Sequence, residues 1–189
     1  MQRHFTLFLV TATAFLALGA QTNNQWSADL NRMLNEFKSC QDNAEDDQSP
    51  CNRFVGKALR RVYNIDDFGP DGNGEYLDAN TIASYLATSD KWVFLGMAAD
   101  QKTLNEAQDD ANKGRAVVAV KPGDSHGHIA IVLPGELSPS ANWKGLNCPN
   151  SASFFYKNLD ESYVGKKLSY AFTAPDDVKI YGHETPKTH

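Results

Sequence analysis

Apolar residues recur at helical spacing in the first half of the chain. Near its start they predict an amphipathic helix over about residues 26–40, from Trp26, Leu30, Met33, Leu34 and Phe37. An acidic, polar link follows over residues 41–48. Ser49-Pro50-Cys51 then opens a second helix, because Ser caps helix N-termini well and Pro is favoured in the first turn. Cys51 is therefore expected in the first turn of that helix.

The second half of the chain changes from helical spacing to strands. A short helix ending near Leu86, a strand over residues 92–95 and a helix over residues 102–113, followed by Gly114, come first. Two β-branched runs, residues 116–120 and 128–133, predict neighbouring strands, and weaker strand signals cover residues 151–156, 168–172 and 178–181. Helices first and strands second predict an α+β fold.

The first twenty residues do not resemble part of a folded domain. A basic start, an apolar run over residues 5–18 and small residues up to Ala20 predict a secretory signal peptide. The apolar run is roughly 14 residues, short of the ~20 that span a bilayer. We expect a secreted or periplasmic protein with a single domain over residues 21–189 and a core over about residues 26–182.

Charge and composition narrow the function classes. The 189-residue chain has a formal net charge of −5 and no cluster of Lys and Arg, which argues against nucleic-acid and anionic-membrane partners. The acidic loop Asp71–Glu75 resembles a calcium loop only in part, because Tyr76 and Ile82 stand where Gly and Glu are needed. No zinc-ligand spacing appears. We expect no metal and no cofactor.

Three cysteines, Cys40, Cys51 and Cys148, lie in the exported part of the chain. Disulfides are allowed there, and an odd count leaves one thiol without an intramolecular partner. A bridge between Cys40 and Cys148 would leave Cys51 free, whereas a bridge between Cys40 and Cys51 would remove it as a nucleophile. A helix N-terminus stabilises a thiolate, which favours Cys51 as the reactive thiol; the alternative is a disulfide half or a small buried residue.

Two histidines precede the strongest strand signal, in Ser125-His126-Gly127-His128. An imidazole at the first position of an apolar strand is held by the sheet while its tip reaches the sheet edge. A helix N-terminus carrying a thiol can face it there, as a Cys–His pair requires. His128 directly precedes the strand and is the expected base, and His126 is expected to be an exposed turn residue.

Together these motifs resemble a known group of enzymes. Cys51-Asn52-Arg53-Phe54-Val55, with Gly127-His128-Ile129-Ala130-Ile131-Val132 about 77 positions later, is similar to the CHAP and NlpC-type amidases and endopeptidases of peptidoglycan. The resemblance implies a papain-like core in which the cysteine helix packs on a small antiparallel sheet. It also implies a third polar residue that orients the imidazole. Asn150 is the first candidate and Asn142 the next, and each can instead be an ordinary loop amide.

The resemblance implies a secreted cysteine hydrolase that cuts amide bonds in the peptide stems of peptidoglycan. Cys51 would attack the carbonyl carbon and His128 would protonate the leaving amine. We expect a monomer, and an accompanying inhibitor protein is left open. The alternatives are a papain-like protease or amidase acting on another amide, and a non-catalytic secreted binding module in which the Cys and His are structural.

Overall fold

Residues 22–40, 53–70 and 75–184 are described by the structure, which is a computed structural model. Four helices lie in these ranges: α1 (Thr22–Cys40), α2 (Phe54–Tyr63), α3 (Ala79–Leu86) and α4 (Gln101–Asn112). The strands are β1 (Trp92–Met97), β2 (Val117–Lys121), β3 (His128–Val132), β4 (Ser138–Pro139), β5 (Asn147–Cys148), β6 (Asn150–Ser153), β7 (Tyr163–Lys167) and β8 (Lys179–His183). Short 3-10 turns cover Leu159–Glu161 and Leu168–Tyr170.

Six of the strands form one antiparallel sheet in the order β1-β8-β2-β3-β6-β7. The two β-branched runs of the sequence are its centre, paired so that Lys121 lies opposite His128 and Val117 opposite Val132. Strands β4 and β5 form a separate two-stranded pair. The expected α+β class with an antiparallel sheet is confirmed, and β3 delivers His128 to one end of the sheet.

Each face of the sheet carries its own core, because side chains alternate along a strand. Ile129 and Ile131 of β3 belong to the core shared with α1, α2 and α3. Ala130 and Val132 belong to the opposite core, which α4 covers. An aromatic group ties the first core together, since the ring of Phe37 lies 4.7 Å from that of Phe54 and 5.5 Å from that of Phe154.

Several predicted boundaries differ from the structure. Helix α2 begins at Phe54, and Arg53 before it has φ −105° and ψ 21°. Cys51, which we expect in the first turn of this helix, lies outside the described residues. The segment predicted as a strand over residues 168–172 instead begins with a 3-10 turn, because the Ala171 amide bonds back to the Leu168 carbonyl. Strand β7 was not predicted.

The predicted signal peptide lies outside the described residues. Within the described ranges, no helix is both long enough and apolar enough to cross a membrane.

Candidate functional site

A cleft of about 380 Å³ opens where the start of α2, the start of α3 and the loop before β3 meet. Its polar lining comes from all three segments, and its floor is apolar. The lining includes the polar and aromatic residues Arg53, Asp78, Asn80, His126, His128 and Tyr156. Cys51, the expected nucleophile, lies outside the described residues, two positions before Arg53 in the chain.

The loop that carries the histidines is held against α3 by one side chain. The Asn80 amide donates from Nδ2 to the Gly123 carbonyl at 2.9 Å and accepts the Gly123 amide at Oδ1 at 3.1 Å. Asn80 is itself fixed at the start of α3, where the Asp78 carboxylate caps the helix by accepting the Thr81 amide at 2.8 Å. The loop packs so closely that a Cβ at Gly127 would lie 2.5 Å from the Asn80 oxygen. The position of the histidine loop is therefore set by α3.

The imidazole of His128 is enclosed by one hydroxyl and two aromatic rings. Its Nε2 lies 2.7 Å from the Ser153 Oγ on the neighbouring strand β6. Phe155 stacks on the ring with centroids 4.4 Å apart, and Phe172 meets it edge-on at 5.4 Å. This burial lowers the pKa of His128 to about 4. The side chain is therefore neutral at neutral pH, held in one orientation and available as a base.

The His128 ring and helix α2 lie on opposite faces of the sheet. His128 shares its sheet face with Ala130, and its contact Phe172 belongs to the core under α4. Helix α2 packs on the other face. The two elements come together only beyond the end of β3, at the cleft that both His128 and Arg53 line.

His126 is exposed and also lines the cleft. Its ring meets that of Tyr156 edge-on with centroids 5.5 Å apart. The expected exposure of this residue is confirmed, but it lies beside the cleft rather than in an unrelated turn. It is the second imidazole of the candidate site.

The structure does not bring the expected third residue to His128. Asn150 stands at the far end of β6, where its Nδ2 donates to the Pro134 carbonyl at 2.8 Å and its backbone amide donates to Gln108 at 2.9 Å. Asn142 is exposed in a turn before Trp143. Both expectations are corrected: the amide of Asn150 secures the turn after β3.

Ser153 takes the place beside the imidazole that was expected for Asn150. In the antiparallel register it lies opposite Ala130, so its side chain points to the same sheet face as His128. The signal available in the sequence was weak: a small polar residue at alternating positions of a short strand, Ser151 and Ser153.

Cys148 is a free, buried thiol in the core under α4. Burial raises its pKa above the ordinary value, although hydrogen bonding from Ser169 opposes the effect. Helix α1, which ends at Cys40, packs on the opposite face of the sheet. The expected bridge between Cys40 and Cys148 is therefore corrected, because Cys148 is a free thiol; the side chain of Cys40 lies outside the described residues. Cys148 is a poor thiolate and an unsuitable nucleophile.

No protein-family model matches this chain, and no curated protein is similar enough to count as a relative. Among the described residues, no group of three or more His, Cys, Asp or Glu is placed to hold a metal ion. Most of the calcium-like loop, residues 71–74, lies outside them.

Proposed function

We propose that this chain is a secreted cysteine hydrolase with a papain-like arrangement that cleaves amide bonds in the peptide stems of bacterial peptidoglycan. One observation supports it most: the His128 ring is oriented by the hydroxyl of Ser153 and covered by the ring of Phe155, and His128 and Arg53, two residues after Cys51 in the chain, line the same cleft. A general base needs this combination of fixed direction and access to a reacting group.

We assign the ring proton of His128 to Nε2, a tautomer that the contact with the Ser153 hydroxyl allows. With the proton on Nε2, His128 donates to the Ser153 Oγ, and Nδ1 keeps the lone pair that a base needs. The Cys51 thiol gives its proton to Nδ1 as the sulfur attacks the substrate carbonyl carbon. Nδ1 then protonates the departing amine, leaving a thioester. Water attacks the thioester, Nδ1 takes the proton from that water, and the proton returns to the sulfur as the acid product leaves.

The low pKa of His128 is compatible with this cycle. Burial disfavours the imidazolium when no anion is near, which keeps the base form available. A thiolate or an oxyanion beside the ring would raise the pKa again, because an opposite charge favours the protonated form. The protonated state is then stabilised when negative charge develops in the cleft. Backbone N–H groups near Cys51 would supply the oxyanion contacts.

Digestion of purified peptidoglycan tests the proposal. We expect the mature wild-type chain to release stem-peptide fragments identifiable by mass, and Cys51→Ala and His128→Gln to release none, with circular dichroism unchanged. His126→Gln is the matched control, because it removes the other cleft imidazole. Loss of activity in His126→Gln with full activity in His128→Gln would reassign the base. Activity in Cys51→Ala would remove the thiol mechanism.

Two other readings remain as alternatives. The first is a papain-like protease or amidase acting on a different amide, and digestion of peptidoglycan beside a protein substrate separates it from the main proposal. The second is a non-catalytic binding module, which the deep burial of His128 favours, since a buried neutral histidine can simply be part of a core. Alkylation of Cys51 by iodoacetamide near neutral pH, slowed in His128→Gln, would exclude the binding module.

A further inference from the structure

Arg53 is the one permanent cation among the described residues that line the cleft. Its Nη1 donates to the Glu75 carboxylate at 2.7 Å. Its Nε is buried and has no hydrogen-bond partner within the part of the chain that the structure describes. The guanidinium therefore enters the cleft region with one donor engaged and a buried donor unused.

A buried donor without an acceptor is uncommon in proteins and calls for an explanation. A guanidinium presents its donors as a planar fork that fits the two oxygens of a carboxylate. The nearby Lys57 does not line the cleft; its Nζ lies over the ring of Phe54 at 5.0 Å. Among the described residues of the cleft, Arg53 is the group suited to bind an anion.

The present partner of Arg53 is a surface carboxylate. The Glu75 side chain is 63% exposed, whereas that of Arg53 is 24% exposed. Exposed ion pairs contribute little net stability, because both charges are well solvated when they separate. A carboxylate of a bound ligand can therefore replace that of Glu75 on the same guanidinium at little cost.

We propose that Arg53, which lines the cleft, binds a carboxylate of the substrate through its guanidinium, next to the reacting amide. This rests on the proposed function and makes it more specific. Peptidoglycan stems contain glutamate linked through its side chain, which leaves the α-carboxylate free in some stems and as a carboxamide in others. Arg53 would select the stems that carry the free carboxylate.

Binding to the inactive Cys51→Ala chain tests this without turnover. The probes are two synthetic muramyl dipeptides that differ only in a free α-carboxylate or an α-carboxamide on the glutamate, and calorimetry measures their Kd. We expect Arg53→Gln to raise the Kd of the carboxylate probe by about 10- to 100-fold and that of the carboxamide probe by less than about twofold. Arg53→Lys keeps the charge but loses the planar fork of donors. Its affinity for the carboxylate probe should lie between those of the Arg53 and Arg53→Gln chains. Glu75→Gln should bind the carboxylate probe more tightly.

Arg60→Gln is the matched control. Arg60 lies on α2, the helix that follows Arg53, pairs with Asp66 at 3.1 Å and does not line the cleft. Its substitution should leave both affinities unchanged. Equal weakening of the two probes by Arg53→Gln, no weakening, or no binding of either probe to the Cys51→Ala chain would each overturn the proposal.

The result is independent of the digestion experiment. If the wild-type chain cleaves no peptidoglycan but Arg53→Gln selectively weakens the carboxylate probe, the carboxylate site is retained and the hydrolase proposal is rejected. If cleavage occurs and Arg53→Gln does not discriminate between the probes, the hydrolase proposal is retained and the role of Arg53 is rejected.

Discussion

Two partly buried histidines lie at opposite ends of the sheet, in contrasting surroundings. His183, at the end of β8, places its Nε2 3.2 Å from the Asp67 carboxylate and meets the Trp92 ring edge-on. His128 faces a hydroxyl and two phenyl rings. A carboxylate favours the charged imidazole, whereas an apolar enclosure favours the neutral one. The same residue type therefore makes a structural contact with a carboxylate at one end of the sheet and is a candidate base at the other.

The surroundings of His183 are those of a structural cluster. Burial disfavours the charge of Asp67, but hydrogen bonds from Lys91 and Trp92 and the charges of Lys91 and His183 outweigh it and lower the pKa of Asp67. The ring of Phe68 stacks on that of Trp92 with centroids 5.2 Å apart. These contacts fasten the loop after α2 to the edge of the sheet, remote from the cleft.

The largest expected effect is a difference in cleavage rate between substitutions of the two histidines. His128→Gln should reduce peptidoglycan cleavage by about 10²- to 10⁴-fold, the usual contribution of a general base. His183→Gln should leave the turnover of the folded protein within about twofold. Initial rates measured at matched folded concentrations decide this. Equal losses in the two variants would mean that His128, like His183, acts only through the fold.

The second prediction concerns the pH dependence of the free energy of unfolding that His128 causes. Because the folded pKa of His128 is about 4 and an unperturbed His titrates near 6.5, the unfolded chain binds more protons between these values. The stabilising contribution is complete above about pH 6.5 and is lost as the pH falls, by roughly 3 kcal/mol at pH 4. Urea unfolding from pH 7 to pH 4 measures it. Between pH 7 and pH 4, the free energy of unfolding of His128→Gln should fall by that much less than the free energy of unfolding of the wild-type chain. An equal fall in the two proteins would contradict the burial of a neutral imidazole.

The third prediction concerns the charged cluster. Asp67→Asn should lower the free energy of unfolding by about 2 kcal/mol at pH 7, because it removes a 7% exposed carboxylate that three donors contact. The lowered pKa of Asp67 confines the acid sensitivity of this region to pH values near and below 4, where the carboxylate becomes protonated. Denaturant melts at pH 7 and pH 3 measure both effects. Lys91→Met is the control; because the side chain of Lys91 is itself 57% exposed, its replacement should cost less than about 1 kcal/mol.

The smallest effect is expected at Ser153. Ser153→Ala removes one hydrogen bond to the imidazole and should cost about 1 kcal/mol of stability. Activity should fall by more than stability implies, since the ring loses the contact that fixes its orientation, and the pH–rate profile should shift. Ser153→Thr, which keeps a hydroxyl, should restore much of the rate. A profile unchanged in Ser153→Ala would show that this hydroxyl has no part in positioning the ring.

The contrast also shows what the sequence could predict. The β2–β3 pair and α4 were found because β-branched runs, a Gly-containing turn and a regular apolar period are local signals. Ser153 could not be found, because the register between β3 and β6 depends on the intervening chain from Leu133 to Pro149. The segment at residues 168–172 was misread because Leu168 and Phe172 are apolar for their burial, not for strand pairing. Arg53 carries no sequence signal beyond its charge.

Asn80 gives the histidine loop a reporter that requires no substrate. Its side chain accepts the Gly123 amide, which has no strand partner, so hydrogen exchange at that single amide measures how often the loop leaves α3. Asn80→Ala should speed the exchange at Gly123 while amides in the centre of β2 keep their protection. The dwell time of the loop against the helix thereby becomes measurable by NMR in the free protein, separately from any rate of bond cleavage.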